Sequence, residues 1–84
     1  MNMVNEIKVD TGHWQIERNG KLHLKQNQLF HLHRLSLMLI KQTGRRVRFQ
    51  TPDDLIELLT LAMATPNQAI EKQLNEVRKV LPFS

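Results

Sequence analysis

Thr51-Pro52-Asp53-Asp54 and Thr65-Pro66-Asn67-Gln68 constrain this chain more than any other feature: each sets a capping hydroxyl and a φ-fixing proline ahead of a run with helical period. In the first, Thr51 is the expected N-cap, Pro52 the first helical residue, and Asp53 and Asp54 put carboxylates where the free N–H groups concentrate positive potential. In the second, Thr65 takes the cap, Pro66 the first helical position and Gln68 the capping-box position. Two C-terminal helices follow from this, the first over 52–63 and the second ended by Leu81-Pro82.

The two helices differ in how much they must bury. Leu55, Ile56, Leu58, Leu59, Leu61, Ala62 and Met63 cover well over half of the first, leaving Asp53, Glu57 and Thr60 to water, so this helix is expected at the centre of the fold. The second offers only the seam Ile70, Leu74, Val77 and Leu81, at coiled-coil-like spacing, which suits the periphery or pairing with its own copy.

Upstream, the hydrophobic period switches from two to helical near Asn27. Trp14 and Ile16, then Leu22 and Leu24, alternate with polar residues around Asn19-Gly20. A two-residue Asn-Gly turn would put the apolar residues of the two strands on opposite faces. A three-residue loop, Arg18-Asn19-Gly20 with Gly20 left-handed, instead pairs Ile16 with Leu22 and Trp14 with Leu24 on one buried face. Ile7 and Val9 add a weak further strand that would extend the hairpin to a three-stranded meander. From Asn27, the expected N-cap, Leu29, Phe30, Leu32, Leu37, Leu39 and Ile40 cover about half of a helix. Asn27, His31, Arg34 and Lys41 lie opposite, and Gly44 is a natural left-handed stop. Residues 45–50 alternate again, Val47 and Phe49 to one side and Arg46 and Arg48 to the other, as in a short basic strand. The expected class is α+β in one domain over 1–84: hairpin, helix, short basic strand, two helices.

Eighty-four residues without cysteine have neither disulfides nor thiolate metal sites to brace a small core. A domain of this size buries only about 60–65% of its unfolded surface. The excess of apolar surface on the first two helices therefore favours a homodimer. The N-terminus lacks the charged start and apolar core of a signal peptide, and the longest apolar run, 58–64, is broken at Thr60 and is far too short to span a bilayer. The expected location is cytoplasmic, with no membrane partner.

Chemistry-bearing patterns are few. His31 and His33 share a metal only on a strand, since on a helix they point about 160° apart. His33 falls on the apolar face with Ser36 one turn away, which suits a core histidine satisfied by that hydroxyl or a backbone carbonyl. Gly12, Gly20 and Gly44 are isolated, so no phosphate-cradling loop exists. Asp53-Asp54 is explained by the helix start. The reading is a non-enzymatic protein without cofactor.

What remains is charge. Residues 18–52 hold eight of the twelve basic residues and none of the eight acidic ones, a segment at +8 offset by flanks at −4. Arg46 and Arg48 on one face of a strand would suit neighbouring phosphates. The expected nucleic-acid contacts are Arg45, Arg46 and Arg48, with Arg34, Lys41 and Lys25 secondary, and Arg18 and Lys21 could extend the patch. The alternative is an interaction module or accessory subunit that docks an acidic protein or forms a homo-oligomer, with Met38, Met63 and the Ile70-Leu74-Val77-Leu81 seam as contacts. From Arg45 onward the order of basic strand and two helices is similar to that of ribbon-helix-helix DNA-binding proteins, which dimerise through that strand and insert it in the major groove. The chain departs from them at Ala64-Thr65-Pro66, which lacks the glycine common at the helix junction, and in the long segment that precedes the strand.

Overall fold

A computed structural model describes residues 15–81, so the pairing of Trp14 and the strand at Ile7 and Val9 lie outside the described residues. Three helices follow in order: α1 (Gln26–Thr43), α2 (Pro52–Ala64) and α3 (Gln68–Val80). The α+β class is therefore corrected to a small helical bundle. Among the described residues the only β pairing is a single antiparallel bridge between Ile16 and Leu22.

That bridge has the register of the three-residue loop. Glu17 N donates to Lys21 O (2.8 Å), His23 N to Gln15 O (2.8 Å), and Gly20 takes φ 81°. Among the described residues it does not grow into a sheet, and Ile16 stays exposed while Leu22 enters the core and Leu24 packs against it. The basic strand at 45–50 is corrected as well. Its alternation is real, with Val47 buried, Phe49 half-buried and Arg46 and Arg48 exposed. Among the described residues it has no neighbouring strand: Leu22 N donates to Gln50 O, and no ladder of described residues runs along the rest. An alternating segment laid over a helical core sorts its side chains as a strand does without needing strand hydrogen bonds. Val47 is buried in the chain's own core and Phe49 packs against it, so the apolar side of this segment is turned inward.

The helix ends follow local chemistry. Thr51 Oγ1 accepts from Asp54 N (3.2 Å) and Asp54 Oδ2 accepts from Thr51 N (3.3 Å), closing a capping box around Pro52. Gly44 ends α1 at φ 73°, its N–H donating to Ile40 O. Two caps differ from expectation. Lys25 rather than Asn27 is the N-cap of α1, with Gln28 Oε1 accepting from Lys25 N at 2.7 Å. Asn67 rather than Thr65 caps α3, accepting from Ile70 N at 3.1 Å. The Thr65 hydroxyl is already spent on Leu61 O at the end of α2 (2.7 Å).

The central packing is between α1 and α3, not around α2. The two run antiparallel and are joined by glutamines: Gln28 Nε2 donates to Val80 O (2.9 Å) near one end, and the buried Gln73 donates to His31 O (2.9 Å) further along. Leu32, Leu35 and Leu39 of α1 meet Ile70, Leu74 and Val77 of α3, and α2 contributes Leu55, Leu58, Leu59 and Ala62. The α3 seam is thus consumed inside the chain, while Ile56 and Met63 of the supposedly central α2 remain exposed.

Candidate functional site

The apolar arc of α1 is wider than its core contact. Burial takes Leu32, Leu35, Ser36 and Leu39, one side of the helix. Leu29, Phe30 and Leu37 are left 42%, 60% and 48% exposed, with Ile40 half-buried beside them. At 100° per residue, Leu29, Phe30, His33, Leu37 and Ile40 fall within about a third of the circumference, forming an apolar ridge along the outside of the bundle. His33 lies exposed on this ridge, which corrects the core-histidine reading. The Ser36 hydroxyl turns inward and donates to Val47 O (3.1 Å).

Cations bound the ridge on both sides. On one side a groove of about 490 Å³ separates it from residues 46–50, with Arg46 and Arg48 on the far wall and His33, Leu37 and Ile40 on the near one. Arg34 and Lys41 stand on the ridge's other shoulder, two turns apart. Beyond Arg34, a groove of about 750 Å³ between α1 and α3 is lined by Met38, Lys72, Glu76 and Lys79. The structure thus puts Arg34, Lys41, Arg46 and Arg48 around one helix face. Lys25 is set apart at the N-cap of α1.

Ion pairing divides the expected contacts. Arg45 Nη2 lies 3.7 Å from Glu57 Oε1, so this arginine faces the middle of α2 instead of joining its neighbours. Lys79 pairs with Glu76 at 3.0 Å, and His23 stands 3.5 Å from Glu17 in the hairpin. Among the described residues no carboxylate pairs with Lys25, Arg34, Lys41, Arg46 or Arg48.

Other chemistry is sparse. The His31 ring packs edge-on to Phe30, with centroids 5.2 Å apart at 79°. Among the described residues no three His, Cys, Asp or Glu side chains converge on a point where a metal ion could sit. Nor is any described helix long and apolar enough to cross a membrane. Lys72 and Lys79 escaped the sequence reading because they lie outside the acid-free segment. The ridge was legible only as an apolar surplus on α1, with nothing to say which part of the arc the core would take. Comparison with known proteins finds no matching family model, and no significant match among curated proteins or solved structures.

Proposed function

We propose that this chain is a non-enzymatic, cytoplasmic nucleic-acid-binding protein that contacts the phosphate backbone through the cations around α1. One observation carries the reading: Arg34, Lys41, Arg46 and Arg48 surround a single helix face, all exposed and none paired with a described carboxylate. Arginines with a purely structural role are expected to pair with acids on the same surface, and among the described residues these four do not. Arg46 and Arg48, on one side of an extended segment anchored by Val47, present guanidinium groups to adjacent phosphates, and Arg34 and Lys41 add point charges across the ridge. Arg45 is demoted to a secondary contact by Glu57. Such contacts position a duplex without reading bases, so the affinity is broad in sequence and steep in salt.

The test is a titration of labelled duplex DNA over a series of salt concentrations. Log affinity is expected to fall linearly with log salt, and Arg46→Ala and Arg48→Ala each to reduce the slope by about 0.9. Absence of binding at low salt, or tight binding indifferent to salt, overturns the proposal.

A further inference from the structure

Nucleic acid does not account for the ridge itself. Phosphates need the cations and gain nothing from Leu29, Phe30, Leu37 and Ile40, yet these side chains occupy the strip between the cationic rows. We infer that the ridge is a docking surface for an acidic amphipathic helix of a partner protein, which engages the same cations as nucleic acid and therefore excludes it. The exclusion, though not the docking, rests on the nucleic-acid reading above.

Spacing and charge both point to this occupant. Phe30, His33, Leu37 and Ile40 follow one another at intervals of three, four and three residues, the seam that receives a second helix side by side. The shoulders of that seam carry Arg34 and Lys41 on one side and Arg46 and Arg48 on the other, and α1 contains no acidic residue. A partner helix must bring apolar side chains to the middle and carboxylates to both edges, so that the apolar contact supplies affinity and the charged rim sets the encounter rate and orientation. A second copy of this chain fits less well. Whichever way two α1 helices were laid together, Arg34 and Lys41 would face cations of the other copy, and like charges across an interface are unfavourable.

The probe is a fluorescent amphipathic peptide with leucines at the same spacing and glutamates on both flanks, compared with a scrambled peptide of identical composition. The amphipathic peptide is expected to bind the full chain in preference to its scrambled control and to displace labelled duplex DNA. Phe30→Ser with Leu37→Ser is expected to weaken the peptide about tenfold or more while leaving the affinity for DNA and its salt slope unchanged. Both substitutions are on exposed side chains, and circular dichroism checks that the variant retains its helices. Equal binding of the scrambled peptide, or no effect of the double substitution, overturns the docking inference without touching the DNA reading. A chain that sediments as a dimer at micromolar concentration, and as a monomer once Phe30 and Leu37 are replaced, also overturns it and assigns the ridge to a second copy. If the peptide binds through the ridge but the chain never binds DNA, docking stands and the nucleic-acid reading falls.

Discussion

The Ser36 hydroxyl donates to the Val47 carbonyl oxygen across 3.1 Å, a buried bond that ties the middle of α1 to the centre of the basic segment. Val47 has Arg46 and Arg48 as its chain neighbours, so this bond holds the two arginines at their distance from the ridge. Ser36→Ala leaves the carbonyl without this partner at the floor of the groove that Ser36 and Val47 line. The expected loss is about 1–2 kcal/mol in urea denaturation, with weakened DNA binding despite no change in charge.

Leu35 and Leu37 lie two positions apart in α1 and have opposite fates, one fully buried and the other 48% exposed. Leu35→Ala opens a cavity among α1, α2 and α3 and is expected to cost about 2–5 kcal/mol. Leu37→Ala is expected to stay within about 0.5 kcal/mol of the parent. A similar loss for both, measured by chemical denaturation, would mean that Leu37 is covered in solution.

Gly44 tests the end of α1. At φ 73° it has open space around it, so an added methyl meets no neighbour and the penalty is conformational alone. Gly44→Ala should destabilise the chain by about 1–2 kcal/mol, with a falling thermal midpoint and an unchanged fold.

Glu57 holds Arg45 away from its neighbours through an exposed pair at 3.7 Å. Such a pair contributes little to stability, so Glu57→Gln is expected to change unfolding by less than about 0.5 kcal/mol. Its effect belongs to binding. The freed Arg45, together with one negative charge fewer, should raise DNA affinity and steepen its salt dependence, whereas Arg45→Ala in the parent should alter the slope less than Arg46→Ala does.

Asn67 and Thr65 separate the cap of α3 from its decoy. Asn67→Ala removes the acceptor for Ile70 N and should cost about 1 kcal/mol, and Thr65→Ala should cost less, because that hydroxyl serves only Leu61 O. This pair also shows where the sequence could and could not be read. The Thr51-Pro52 start, the Gly44 stop and the left-handed Gly20 are written in residues whose backbone preferences act within a few positions, and all three are present. Thr65 had the same local signature as Thr51, and only the neighbouring helix end decided against it.

Longer-range features were out of reach for the same reason. The alternation at 45–50 specifies which side chains face inward, but a strand exists only if another strand lies alongside, and that is a property of the whole fold. The apolar surplus of Leu55 to Met63 suggested a central helix, yet the glutamines Gln28 and Gln73, unremarkable in sequence, join α3 to α1 and leave part of α2 outside. Of the site, the cations were legible one by one. Their arrangement around α1, the diversion of Arg45 to Glu57 and the exposed Phe30 and Leu37 between them depend on which arc of a broad apolar helix the core selects.

The glutamine bonds between α1 and α3 span 42 and 52 positions of sequence. Helical bundles usually form quickly because each helix meets the next one along the chain, but here the principal pair is first with last, with α2 in the loop between them. Closing such a loop adds little to the equilibrium cost, which grows only with the logarithm of its length, so the burden falls on the time taken to fold. A chain emerging residue by residue therefore holds Leu32, Leu35 and Leu39 without their α3 neighbours until Ile70, Leu74 and Val77 have been made, so that for this interval α1 shows water both its core face and the ridge that stays exposed after folding.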